Sequence, residues 1–193
     1  MFELFRASYY WTDLIIGYTF PFFVYGLFRA GRVSNAVWRL YWLGCLVGLF
    51  WEVPIFILSG QSTPLPIIFF ARELPVHYLV LMVCHTLWDG GLFLAGVWLV
   101  HLLCPDPILT RFRWRELAVF LLWGQTSALA VELSSTLNDG WVYVSGYWWN
   151  PVLFTFNDHP VTVLPQLIWM VAPVVYYLAV IRNKEEKIVR NFH

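Results

Sequence analysis

Residues 76–103 read VHYLVLMVCHTLWDGGLFLAGVWLVHLL. The run contains no lysine or arginine, and its one carboxyl group, Asp89, lies near the middle, four residues after His85. A stretch of roughly 20 apolar residues is long enough to cross the hydrocarbon core of a bilayer as a helix. Residues four apart share one helical face, so His85 and Asp89 project together from that span.

Working outward, four more stretches of this kind appear: about 9–28 and 36–58 before it, and about 116–135 and 161–181 after it. Of the 193 residues, 60% are hydrophobic and 12% charged, whereas soluble domains run at about 25% charged. The expected fold is therefore all-α: a polytopic integral membrane bundle of about five transmembrane helices, with residues 1–193 as one domain. The first span follows Asp13 rather than a basic n-region, and no small-x-small cleavage pattern follows it, so it reads as a helix and not as a signal peptide.

Formal net charge is zero, which argues for neither nucleic acid nor an anionic surface as partner. The distribution of charge says more. Arg29, Arg32 and Arg39, then Arg111, Arg113 and Arg115, then Arg182, Lys184, Lys187 and Arg190 fall on one side of a five-span bundle, leaving Arg6 and Arg72 on the other. The positive-inside rule then puts the N-terminus outside or in the lumen and the C-terminus in the cytoplasm. The membrane would be the endoplasmic reticulum in a eukaryote and the inner membrane in a bacterium. Cys45, Cys84 and Cys104 lack CxxC spacing, against a structural disulfide or zinc site. The terminal run KEEKIVRNFH reads as a cytoplasmic frayed helix.

An ionisable side chain inside a span is costly unless it faces the bundle interior, so each one is a functional candidate. Glu52 and Asp89 are flanked by Trp51, Trp88 and apolar neighbours, with no basic residue to neutralise them. Each is a candidate proton donor or acceptor, and His85 is either the base or relay of Asp89 or its structural hydrogen-bond partner. Glu132 is either a member of the same group or an interfacial anchor. Gln125 and Gln166 can tie helices together, and Gln166 can also position a substrate. His77 and His101 lie near helix ends, where imidazole is cheap, and Arg39 reaches toward the cytoplasm. Glu52, His85, Asp89, Glu132 and Gln166 fall toward the outer half of their spans, at similar depth.

Aromatic residues make up 20% of the chain. Trp51, Trp88, Trp123 and Trp169 are inside spans, where they either pack against lipid and helix or wall a site that stabilises a cationic ligand or carbocation. The segment 137–160 contains Trp141, Tyr143, Tyr147, Trp148 and Trp149. It is expected to lie against the membrane surface as a cover over the outer end. The apolar stretch 64–71 is too short to cross and reads as interfacial or re-entrant.

Several short patterns resemble the emopamil-binding protein (EXPERA) superfamily, which includes the sterol Δ8-Δ7 isomerase and the sigma-2 receptor. PQLIWMVAP, with Gln166, Trp169 and Pro173, is similar to the isomerase's Asn-x-x-Trp-x-x-x-Pro helix. WEVPIF with Glu52 resembles the family's carboxylate followed by an aromatic, WDGGLFL with Asp89 its Leu-Asp-Gly or Leu-Trp-Gly segment, and Gly124 with Gln125 its fourth span. The isomerase has a histidine one turn before its span-two glutamate, where this chain has Gly48, and its span-three glutamate has His85 or Asp89 as the nearest counterpart. The Trp-Glu of span two and the Asp of span three also look like the membrane-bound terpene cyclases of meroterpenoid pathways.

The resemblance implies a cavity open to the bilayer in which acids protonate and deprotonate an isoprenoid or sterol-like lipid. Glu52 would be the acid, Asp89 with His85 the base or relay, with Glu132 a further candidate. Trp51, Trp88, Trp123, Gln166 and Trp169 would contact the substrate. Neither a metal nor another cofactor is implied. Partners are a lipophilic substrate and membrane lipid, without nucleic acid, and a homodimer is left open. One rival is a non-catalytic sterol or lipid binder or membrane-protein chaperone, the other a small transporter, against which there is no repeat symmetry.

Overall fold

The computed structural model describes residues 2–59 and 63–182. Lys184, Lys187 and Arg190, and the terminal run expected to fray, lie outside the described residues.

Five helices dominate: α1 (Phe2–Arg29), α2 (Asn35–Ile57), α3 (Tyr78–Leu103), α4 (Trp114–Leu137) and α5 (Val163–Arg182). Four of them, α2 to α5, are long and apolar enough to cross a membrane. The helix α1 falls outside that set although it was expected as a span. It is the longest helix, but its apolar residues are diluted by polar and charged ones, including Arg6, Asp13 and Arg29. At about 1.5 Å per residue it is still long enough to run the depth of the bundle. Local chemistry marks two helix starts. The Ser34 hydroxyl caps α2 by accepting the Val37 N–H at 3.5 Å, and His77 Nδ1 caps α3 by accepting the Leu79 N–H at 3.3 Å.

The fold is not strictly all-α. The segments expected as a cover over the outer end and an interfacial stretch pair with each other: β1 (Ile68–Phe70) runs antiparallel to β2 (Trp141–Tyr143), matching Ile68 to Tyr143 and Phe70 to Trp141. Beside them β3 (Val152–Phe156) and β4 (His159–Thr162) form a hairpin. Its turn residues, Asn157 and Asp158, have φ of 49° and 60°, the left-handed geometry of a two-residue type I′ turn. A period-2 pattern three residues long is too short to stand out among apolar neighbours, which is why these strands escape a hydropathy reading.

The sheets cap the end of the bundle where α2 and α4 finish and α3 and α5 begin. Arg6 of α1 is fastened there too: its Nε donates to the Leu137 carbonyl at 3.0 Å, and Asp139 lies 3.4 Å from Arg6 and 3.0 Å from Arg72. Tyr10 donates its hydroxyl to the Gly140 carbonyl at 2.7 Å. At the opposite end Tyr25 and Phe28 pack on Trp38 of α2, so α1 passes from cap to base.

Helices α2 and α3 pack most extensively, α4 lies along α5, and α1 leans on α3. The core below the capped end is aromatic: Phe93 stacks on Tyr176 at a centroid distance of 4.4 Å and on Trp169 at 5.4 Å. Cys45, Cys84 and Cys104 are free and buried.

Candidate active site

Between the aromatic core and the β1–β2 cap is a cavity of about 460 Å³. That is within the range of small-molecule sites, about 300–1,000 Å³. All five helices contribute: Asp13 from α1, Trp51 and Glu52 from α2, His85, Trp88 and Asp89 from α3, Glu132 from α4 and Trp169 from α5. Trp141 and Tyr143 of β2 close the capped end. Counting 1.5 Å per residue, Glu52 and Glu132 lie about 8 Å in from their helix ends, His85 about 10 Å and Asp89 about 16 Å. The similar depth expected from the sequence is therefore a graded one, with Asp89 deepest.

Each carboxyl has a distinct setting. Glu132 is 3% exposed and accepts the Thr162 N–H on Oε1 at 2.9 Å, which ties it to the end of β4. Glu52 is 8% exposed and Asp89 5%. Three buried carboxylate oxygens have no hydrogen-bond partner among the described residues: Glu52 Oε2, Asp89 Oδ2 and Glu132 Oε2. Buried polar atoms are nearly always paired, because a lost hydrogen bond is expensive there, so three such oxygens around one cavity make it the candidate site.

His85 corrects the sequence reading. Its ring does not turn to Asp89, one turn away on its own helix. Nε2 lies 3.0 Å from Asp13 Oδ2, and Nδ1 lies 3.6 Å from Glu52 Oε2. Asp89 instead occupies the space beside Gly48, where a Cβ would run into its carboxylate. The His85 ring is held between Phe56, edge-on at 5.2 Å, and Trp141 at 4.8 Å.

Two substrate candidates are elsewhere. Trp123 does not line the cavity; its indole N–H donates to the Leu92 carbonyl at 2.8 Å. Gln166 is also outside the lining, and its backbone carbonyl accepts the Gln125 side chain at 2.9 Å, a tie between α4 and α5. Trp51 and Trp169 do face the cavity, 5.8 Å apart, as one aromatic wall. Trp88 lines it and also donates its indole N–H to the Asp13 carbonyl at 3.2 Å.

Sequence reasoning missed Asp13, Tyr9, Trp141 and Tyr143 as lining groups. Asp13 carried the same signal as Glu52, an acid in an apolar run, but its place near the start of the span made it read as a flank. Tyr143 became a site residue only when β2 paired with β1. Burial holds its phenol well above the ordinary range, and Glu52, Glu132 and Asp89 push the same way, so it meets the cavity as a neutral hydroxyl.

The cavity has a side opening. Thr12 and Ile16 of α1 and Ala130 and Val131 of α4 both line it and are exposed on the outer wall of the bundle. Among the described residues, no group of His, Cys, Asp and Glu is arranged as a metal-ligand set. The groups present can give, take and relay protons beside ring faces that stabilise positive charge.

No family model, curated protein or solved structure matches the chain.

Proposed function

We propose that this is an integral membrane enzyme that isomerises or cyclises an isoprenoid or sterol-like lipid by proton transfer. The observation that carries the reading is the set of three buried carboxyl groups, each with an oxygen that makes no hydrogen bond among the described residues, around an aromatic-walled cavity. The side opening between α1 and α4, flanked by exposed Ile16 and Val131, is where a lipid would enter from the bilayer. Four apolar helices support a membrane location, and α1, running from cap to base, would be the fifth span. Arg29, Arg32, Arg39, Arg111, Arg113, Arg115 and Arg182 gather at the end opposite the cap. This favours a cytoplasmic base and an external or lumenal cap.

In this mechanism Glu52 gives its proton to an alkene carbon: its O–H bond breaks, a C–H bond forms, and the adjacent carbon becomes cationic. Trp51 and Trp169, which line the cavity, would stabilise that charge through their rings. For isomerisation Asp89, as the carboxylate, takes a proton from a flanking carbon and a shifted double bond forms. For cyclisation a second alkene attacks the cation before the proton is lost. The lipid keeps its mass in both cases. The proton that Asp89 gains must return to Glu52 before the next turnover. The resemblance to the sterol isomerase agrees with Glu52 and Trp169 in these roles. The space of its span-two histidine is the Gly48 site, into which Asp89 reaches from α3.

The test is mass spectrometry of lipids from membranes containing wild type, Glu52→Gln or Asp89→Asn at equal abundance. A lipid of unchanged mass but altered double-bond or ring pattern should appear with wild type. Each variant should lower its yield by about 10²–10⁴-fold, the usual share of general acid–base catalysis. Recovery of one unaltered lipid with all three proteins would replace the enzyme by a binding protein.

A further inference from the structure

We propose that Asp13 is a positioning residue: its carboxylate fixes the His85 ring so that Nδ1 faces Glu52. The proposal rests on the proton-transfer reading of the cavity. His85 is the only described side chain that contacts acids from two other helices, with Nε2 3.0 Å from Asp13 on α1 and Nδ1 3.6 Å from Glu52 on α2. As a carboxylate, Asp13 can only accept, so the hydrogen of a neutral imidazole stays on Nε2 and Nδ1 is left toward Glu52. When the ring is protonated, Nδ1–H points at the carboxylate that Glu52 becomes after giving its proton away. The charged groups that the His85 ring contacts are Asp13 from α1 and Glu52 from α2.

The Asp13 backbone also fastens α1 to α3. The Asp13 carbonyl accepts the Trp88 indole N–H at 3.2 Å and the Cys84 thiol at 3.3 Å, both from α3. One turn further, Gly17 lets the helices close: a Cβ there would run into Cys84 Sγ. The helix α1 is thus held where its mid-helix acid meets the imidazole. The logic is that of any buried carboxylate that orients a histidine, setting which nitrogen carries the hydrogen and where the other one points.

The test is NMR of the full chain in lipid nanodiscs with ¹⁵N-labelled histidine, the His85 signals being assigned by their loss in His85→Gln. In wild type the hydrogen of neutral His85 should be on Nε2. In Asp13→Asn the amide can donate to Nε2, and the hydrogen should move to Nδ1. Tyr18→Phe removes another α1–α3 hydrogen bond, from the Tyr18 hydroxyl to the Val80 carbonyl at 2.8 Å, away from the cavity, and should leave His85 unchanged. The yield of rearranged lipid should fall at least about 100-fold in Asp13→Asn without loss of bound lipid. Identical His85 spectra in wild type and Asp13→Asn, or an equal change in Tyr18→Phe, would overturn the proposal. If wild type rearranges no lipid, the proton-transfer reading falls by itself, and the His85 spectra still decide what Asp13 does.

Discussion

Asp89 has room only because residue 48 has no side chain. A methyl group on Gly48 would occupy the space of the Asp89 carboxylate, whose Oδ2 is already buried without a partner. Gly48→Ala should therefore destabilise the protein by about 1–3 kcal/mol, the usual cost of overpacking. In an Asp89→Ala background most of that cost should vanish, because the two changes share one space. Thermal unfolding in detergent of the two single variants and the double variant measures this. Additive losses would mean that Gly48 and Asp89 do not meet. The pairing shows a limit of residue-level reading. Spacing placed His85 and Asp89 on one helical face, and they do share a cavity, yet each one's nearest partner comes from another helix.

At the scale of elements, the two ends of α4 use buried glutamates for different purposes. Glu116, fully buried in its first turn, accepts the Leu109 N–H on both oxygens, at 3.2 and 3.1 Å, and lies 3.0 Å from the Tyr177 hydroxyl. Arg113 approaches it at 3.6 Å. Glu132, near the other end, leaves one oxygen unpartnered beside the cavity. Glu116→Ala should cost about 2–3 kcal/mol, because it strands the Leu109 N–H and removes a charged acceptor, while lipid conversion per folded protein persists. Glu132→Gln should cost far less stability and lower conversion. Melting curves and conversion assays on the same preparations check the contrast. Similar stability losses in both variants would make Glu132 structural.

At the scale of the molecule, the orientation can be read by labelling. Trp148, at the capped end, is 92% exposed, and Thr110 lies in the loop at the opposite end. The three native cysteines are buried and should give little background. An impermeant maleimide applied to intact cells should modify Trp148→Cys and a cysteine placed before Phe2, but not Thr110→Cys. Labelling of Thr110→Cys instead would invert the orientation. Protection of the N-terminal cysteine alone would mean that α1 does not cross, leaving four spans.

Much of the architecture was legible because hydropathy is a local property. Long apolar runs marked all five helices to within a few residues, except that α1 begins at Phe2 rather than near residue 9. The same runs made Glu52, Asp89 and Glu132 conspicuous, since an acid among apolar neighbours stands out without any knowledge of the fold. Only tertiary structure decided what those acids face. The contact between Asp13 and His85 spans 72 residues of sequence. The pairing of Ile68 with Tyr143 that closes the cavity joins two short segments that hydropathy could read only as surface stretches. Trp123 had a residue type suited to binding, but its indole was turned to tie α4 to α3. A side chain's chemistry is carried by its own residue. Its partners are set by which helix faces pack together, and that depends on the shapes of all five helices at once.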